Sequence, residues 1–217
     1  QRKMMDSAFA HTHLKTVFPL MDEAVQEMIL RLQQNKPTDI VNIDAEMTHI
    51  TADIIFRTIL SHKLTTEEAK EIHDSFNIYQ QAAQRSMVLT GYYIPDIFPK
   101  IRRKKSAARI RSVLSPIIKK RYDDYISGAD TENRDILSAL MHARDKNDGS
   151  SFGYLELVDH VSMLFLAGHE TSASALTWSL YLIAACPHIQ QAMLKEINEV
   201  CPSGEITFED TKLLEQN

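Results

Sequence analysis

One run of sequence constrains this chain more than any other. From about Tyr154 to Cys186, 33 residues follow a helical pattern, well past the roughly 8–20 of an ordinary globular helix. Its most apolar stretch, Thr171 to Cys186, is 16 residues long. A membrane span needs about 20, so the stretch reads as a core helix. That second half is apolar nearly all round, which predicts burial on every side. Into the centre of the run are set Gly168, His169, Glu170 and Thr171. Glycine costs ~1 kcal/mol against alanine in a helix interior, and a buried carboxylate costs more unless partnered. A helix that carries both at its middle is expected to use them.

The rest of the chain agrees with a helical fold. Leu14, Val17, Met21, Ala24, Met28 and Leu32 step by threes and fours, as do Met47, Ile50, Ile54, Ile55, Thr58 and Ile59. Thr65 with Glu68 forms a capping box ahead of a stripe of Ala69, Ile72, Phe76, Tyr79 and Ala83. Ile110, Val113, Leu114, Ile117, Ile118, Tyr122 and Tyr125 mark another helix, with Pro116 as its expected kink. Ile136, Leu137, Leu140 and Met141 mark a shorter one. Pro187 opens a helix through Ile189, Met193, Ile197 and Val200, and Thr207 with Asp210 starts one more. No stretch alternates with period two for long enough to propose a sheet. Six glycines in 217 residues fall well below the roughly 7% of average usage. That scarcity excludes a turn-rich sandwich, a Rossmann-type phosphate loop and a collagenous repeat. The fold class is all-α, and the length suits a single domain over residues 1–217.

The run Ala167-Gly168-His169-Glu170-Thr171 is the candidate site. Ala167 and Gly168 leave a shallow place where a flat ligand can lie against the backbone. Thr171 can return its hydroxyl to the Ala167 carbonyl, loosening one helical hydrogen bond and admitting water. Glu170 adds a proton-exchanging carboxylate, so alcohol, acid and loosened helix make a proton relay. The plainer alternative is a buried helix with a satisfied threonine and a carboxylate paired to a neighbour. A zincin reading of His169-Glu170 fails, because H-E-x-x-H needs histidine where Ala173 stands. His11 and His13 diverge on a helix and read as solvated side chains. Cys186 and Cys201 form no CxxC pair.

Phe165-Leu166-Ala167-Gly168-His169-Glu170-Thr171-Ser172 resembles the oxygen-binding groove of the long central I helix in the cytochrome P-450 family, whose pattern [AG]-G-x-[DE]-T is matched at all five positions. Gln1 to Phe9 is similar to that family's C helix, with Arg2 as the arginine of W-x-x-x-R. The later helices fall in the family's order, D to J. The resemblance implies a partial chain, from the C helix to just before the K helix, with the I helix surrounded by the others. It implies a haem-thiolate monooxygenase acting on a small organic substrate with dioxygen, and fed electrons by a redox protein or reductase. By carry-over, Thr171 would hold dioxygen or its water by a hydrogen bond, and Glu170 would feed protons. Ala167 and Gly168 would border the haem, and Arg2 would pair with a propionate. Stepping back by turns, Ala167, Leu164, Met163 and His160 would form a substrate wall. The family's E-x-x-R and its F-x-x-G-x-R-x-C-x-G loop are missing, and neither Cys186 nor Cys201 matches that loop. The iron ligand is therefore expected outside these residues, and this chain alone is expected to be inactive.

A different-class alternative is a non-catalytic helical bundle without haem, either a degenerate remnant or an interaction module. Charge does not favour a nucleic-acid partner. Ten of the 24 basic residues lie between Pro99 and Arg121 with no acid among them, yet the apolar stripe from Ile110 and the lack of interleaved aromatics predict a solvated helix face. The net charge of −5 demands no polyanion. With two cysteines and no apolar span, the expected compartment is cytoplasmic.

Overall fold

The computed structural model describes residues 9, 11–36, 38–63, 66–129, 135–146 and 148–214. Among them the regular structure is all helical: α1 His11–Gln33, α2 Ile43–Leu60, α3 Thr66–Gly91, α4 Ile97–Ile126, α5 Ile136–His142, α6 Tyr154–Ala185 and α7 Pro187–Val200, followed by a 3-10 turn at Asp210–Lys212.

Local chemistry sets the ends. Asn42 caps α2, its Oδ1 accepting from the Ala45 N–H at 3.2 Å, and Ser61 closes that helix in the left-handed region at φ 48°. Asp135 caps α5 by accepting from the Ser138 N–H at 2.9 Å. Glu156 reaches back to the Gly153 N–H at 2.9 Å to fix the start of α6. Gly128, at φ 76°, takes the turn that ends α4. Pro187 begins α7 as expected. Pro116 leaves α4 a continuous helix, and Pro19 sits inside α1 in the same way. The Thr65 half of the expected capping box lies outside the described residues. Thr207 and Asp210 do pair, with the Thr207 N–H and hydroxyl donating to Asp210 Oδ2 at 2.8 and 2.6 Å.

The main core forms around the first half of α6. Leu157, Val158, Val161 and Phe165 meet Phe56, Ile59 and Leu60 of α2, Ile110, Leu114 and Ile118 of α4, and Ile136, Leu137, Leu140 and Met141 of α5. Each such large side chain contributes about 1.5–3 kcal/mol by leaving water. Phe165 packs edge-on against Phe56 with centroids 5.2 Å apart. A smaller cluster joins Ala24 of α1 and Met47 and Ile50 of α2 to Ala173 of α6. The arrangement packs α6 chiefly on α2, and α3 on α4.

Two ion networks brace this frame. Arg57 of α2, only 3% exposed, donates to Asp53 at 3.0 and 2.7 Å and to Glu27 of α1 at 2.7 Å. Arg121 of α4 donates to Asp135 at 2.7 and 3.2 Å, to Ser138 Oγ at 2.7 Å and to the Leu60 carbonyl at 3.2 Å. It thereby ties α2, α4 and α5 at one point. Arg121 is thus the exception in the basic segment, where Lys100, Arg102, Lys104, Lys105, Arg109, Arg111, Lys119 and Lys120 are exposed.

The second half of α6 departs from the sequence expectation. Leu176, Trp178, Leu180, Tyr181 and Leu182 are 42, 65, 40, 62 and 57% exposed rather than buried all round. Burial on α6 runs from Leu157 only as far as Ala173, because the core clusters that α2, α4 and α5 build against it end there. Apolar composition states that a face gains by being covered; it does not supply the cover. Among the described residues no helix is long and apolar enough to cross a membrane.

Candidate active site

Placing α6 against α2 sorts the motif by direction. Leu157, Val158, Val161, Ser162, Phe165, His169 and Ala173 are buried toward the core. Met163, Ala167 and Thr171, spaced four apart, share the opposite face and are exposed. Glu170 and Gly168 stand on the two flanks, each half-buried.

Thr171 makes the back-bond that the sequence suggested: its Oγ1 donates to the Ala167 carbonyl at 2.7 Å. The acceptor is the oxygen that would otherwise serve only the helix ladder, so sharing it weakens the ladder at this turn. Beside it, the Ala167 methyl leaves the backbone accessible.

Gly168 behaves differently from Ala167. A Cβ built on Gly168 would come 3.1 Å from Ile55 Cδ1 and 3.8 Å from Ile55 Cγ1. The missing side chain is therefore spent on close approach of α2, and only Ala167 borders the open face. The glycine and the alanine of the motif serve different neighbours.

Glu170 turns toward α3, where the Gln80 side-chain amide donates to its Oε1. His169 lies buried in an aromatic setting, stacked on Phe165 at 5.3 Å and meeting the edge of Phe76 of α3 at 5.1 Å. Phe76 and Gln80, one turn apart, are thus where α3 meets α6. Gln80 was not singled out from the sequence. The only available signal was its position four residues after Phe76 in the apolar stripe of that helix.

The four residues proposed as a substrate wall divide. Met163 and Ala167 occupy the open face. Leu164 packs at the margin of the main core. The His160 ring packs edge-on against Phe152 at 4.7 Å, and its Nε2 is buried without a hydrogen-bond partner. Arg2 lies outside the described residues.

A flat, largely apolar cofactor fits the open face by its chemistry. Ala167 is small, Met163 is apolar and deformable, and the Thr171 hydroxyl is the polar group one turn beyond Ala167. A thiolate is another matter. Cys186 sits just past the end of α6, and Cys201 is buried. Burial pushes the Cys201 thiol up, with Asp210 adding to the effect, so it stays protonated at neutral pH. Among the described residues no group of three or more His, Cys, Asp or Glu is arranged to hold a metal ion.

With this geometry in view, comparison with known proteins is decisive about kinship. The family model described as Cytochrome P450 matches residues 1–215. This chain belongs to the cytochrome P-450 family. It is 28% identical over 200 residues to cyclooctatin synthase of Streptomyces melanosporofaciens, covering 92% of this chain and 42% of that protein. It is 30% identical over 210 residues to a cytokinin hydroxylase of Arabidopsis thaliana, covering 92% of this chain and 40% of that protein. The fold is similar to the crystal structure of the cytochrome P450DA heme domain, with a TM-score of 0.75 at 22% identity, covering 98% of this chain and 46% of the other. The chain therefore spans about two-fifths of the length of these P-450 relatives.

Proposed function

We propose that this chain is the oxygen-activating side of a haem-dependent monooxygenase, forming one continuous part of a single catalytic domain. The observation that carries the reading is the open face of α6. There the Thr171 hydroxyl, back-bonded at 2.7 Å to the Ala167 carbonyl, stands in line with Ala167 and Met163, with Glu170 on the flank.

When bound, the haem supplies dioxygen activation and electron transfer. Ala167 would give its flat surface a place against the backbone, and Arg2 would be the residue to pair with a propionate. Thr171 would order a water or dioxygen through its hydroxyl, since swinging off the Ala167 carbonyl frees its O–H to donate while its oxygen can still accept. Glu170 exchanges protons with solvent and passes them toward the Thr171 hydroxyl, holding the proton on its carboxylate between transfers. Met163 contributes an apolar wall to a small organic substrate. An electron-donor protein or reductase completes the cycle. The iron-ligating cysteine comes from sequence outside these 217 residues, so the chain by itself is inactive. The exposed apolar side chains of α6 from Leu176 to Leu182 are then the seam on which the rest of the domain packs.

The test uses the full-length protein that contains this chain. Its reduced carbon monoxide spectrum is expected to show the thiolate-type Soret band. Thr171→Ala is expected to raise oxygen and electron consumption per product formed while the band persists. Absence of the band in the parent sinks the enzyme reading and favours a helical bundle without haem. Unchanged coupling in Thr171→Ala removes the role assigned to that hydroxyl.

A further inference from the structure

The acid and the alcohol of the motif point apart. Successive residues on a helix are turned by about 100°, and the hydrogen bonds enforce the difference. Thr171 bonds back along its own helix to the Ala167 carbonyl at 2.7 Å. The Glu170 carboxylate instead leaves the open face and is met by the Gln80 amide from α3. Both residues of this pair are half-buried, so the bond is partly withdrawn from water. Gln80 is also delivered by a packed element. One turn earlier, Phe76 is only 5% exposed and lies against Phe165 at 6.5 Å and His169 at 5.1 Å.

We propose that Gln80 is a positioning residue for Glu170: its amide holds the carboxylate on the α3 flank and so sets how readily Glu170 can turn toward Thr171. The proposal rests on the proton-transfer role given to Glu170 above. An amide N–H donates to a carboxylate and offers no proton to give up in exchange. Gln80 therefore orients without joining the relay. A carboxylate on this flank must part from the amide, or α3 must shift, before it reaches the hydroxyl side of the face. Removing the donor frees the carboxylate to sample both flanks, which loosens control over when protons arrive.

The experiment separates the bond from the bulk of the side chain. Gln80→Met keeps length and volume and loses the donor, whereas Gln80→Lys keeps an N–H of similar reach. In the full-length enzyme, product formed per electron is measured for each variant, alone and with Glu170→Gln. Gln80→Met is expected to change coupling by about threefold or more, as residues sharing one hydrogen-bond network do, with substrate KM and the carbon monoxide spectrum unmoved. Gln80→Lys is expected to restore most of that change, and Glu170→Gln to abolish it. An equal effect of Gln80→Met in both backgrounds overturns the proposal. A second readout needs no turnover. In the ¹⁵N-labelled full-length protein, Glu170→Ala is expected to shift the Gln80 side-chain amide signals and speed their hydrogen exchange, and unchanged signals overturn the tie itself. A parent without the thiolate band would instead refute the functional reading, and the amide signals would still judge the contact.

Discussion

Gly168→Ala probes the division of labour inside the motif. In an exposed helix this change gains about 1 kcal/mol from helix propensity. Here the new methyl would sit 3.1 Å from Ile55 Cδ1, a few tenths of an ångström inside ordinary contact. Overpacking of that kind costs about 1–3 kcal/mol, but the atom it meets is the far end of a half-buried isoleucine on α2, which favours the low end. The two effects nearly cancel, and the expected net change is a destabilisation of about 0–1.5 kcal/mol. Ile55→Val deletes the opposing methyl and by itself costs about 0.5–1.5 kcal/mol. With that methyl gone, Gly168→Ala should stabilise by about 1 kcal/mol relative to Ile55→Val alone. The coupling between the two sites is then about 1–2.5 kcal/mol. Urea unfolding followed by far-UV circular dichroism gives it from the midpoints of the four proteins, provided the slope is common to all. Additivity within about 0.3 kcal/mol would show that the Cβ does not meet Ile55 and that the glycine serves another neighbour.

Two further tests address the frame that holds the site. Arg121→Met should cost about 3–5 kcal/mol, because it leaves the buried Asp135 carboxylate without its cation; adding Asp135→Asn should recover part of the loss, and a loss below about 1 kcal/mol in the single variant would contradict the burial. Glu27 is held at about 2, below its ordinary 4.5, chiefly by the hydrogen bond from Arg57 and then by that from Lys63. Its folded value is depressed, so its contribution is complete above about 4.5 and is lost as pH falls toward 2. With Glu27 37% exposed, Glu27→Gln should cost only roughly 1 kcal/mol at neutral pH. The gap from the parent protein in urea midpoint should close in acid, and a gap that stays constant across that range would rule out the ion pair as its source.

Much of the fold was legible because helical burial is periodic. Val17 and Ala24 of α1, Met47, Ile50 and Ile59 of α2, and Ile110, Leu114 and Ile118 of α4 all lie where spacing by threes and fours placed them. Caps such as Asp135 and the Pro187 start obey rules that involve only a few adjacent residues. The Thr171 back-bond belongs to the same class, since a hydroxyl four residues after a carbonyl needs no partner from elsewhere. Arg57, in the last turn of α2, escaped notice, because its burial depends on Glu27 arriving from α1 to join Asp53 of its own helix.

The amino-acid order by itself determined the all-helical class, the length of α6, the motif at its centre and the family to which the chain belongs. These depend on periodicity, local hydrogen bonding and residue identity, all of which act over a few positions along the chain. Tertiary structure decided the rest. It aimed Gly168 at Ile55 rather than at the open face, brought Gln80 to Glu170 across 90 residues, packed Leu164 on the core and His160 on Phe152, and left Trp178 and Tyr181 uncovered. Each of those outcomes depends on which helix packs on which flank, and a helix carries no record of its neighbours beyond the faces it needs to bury.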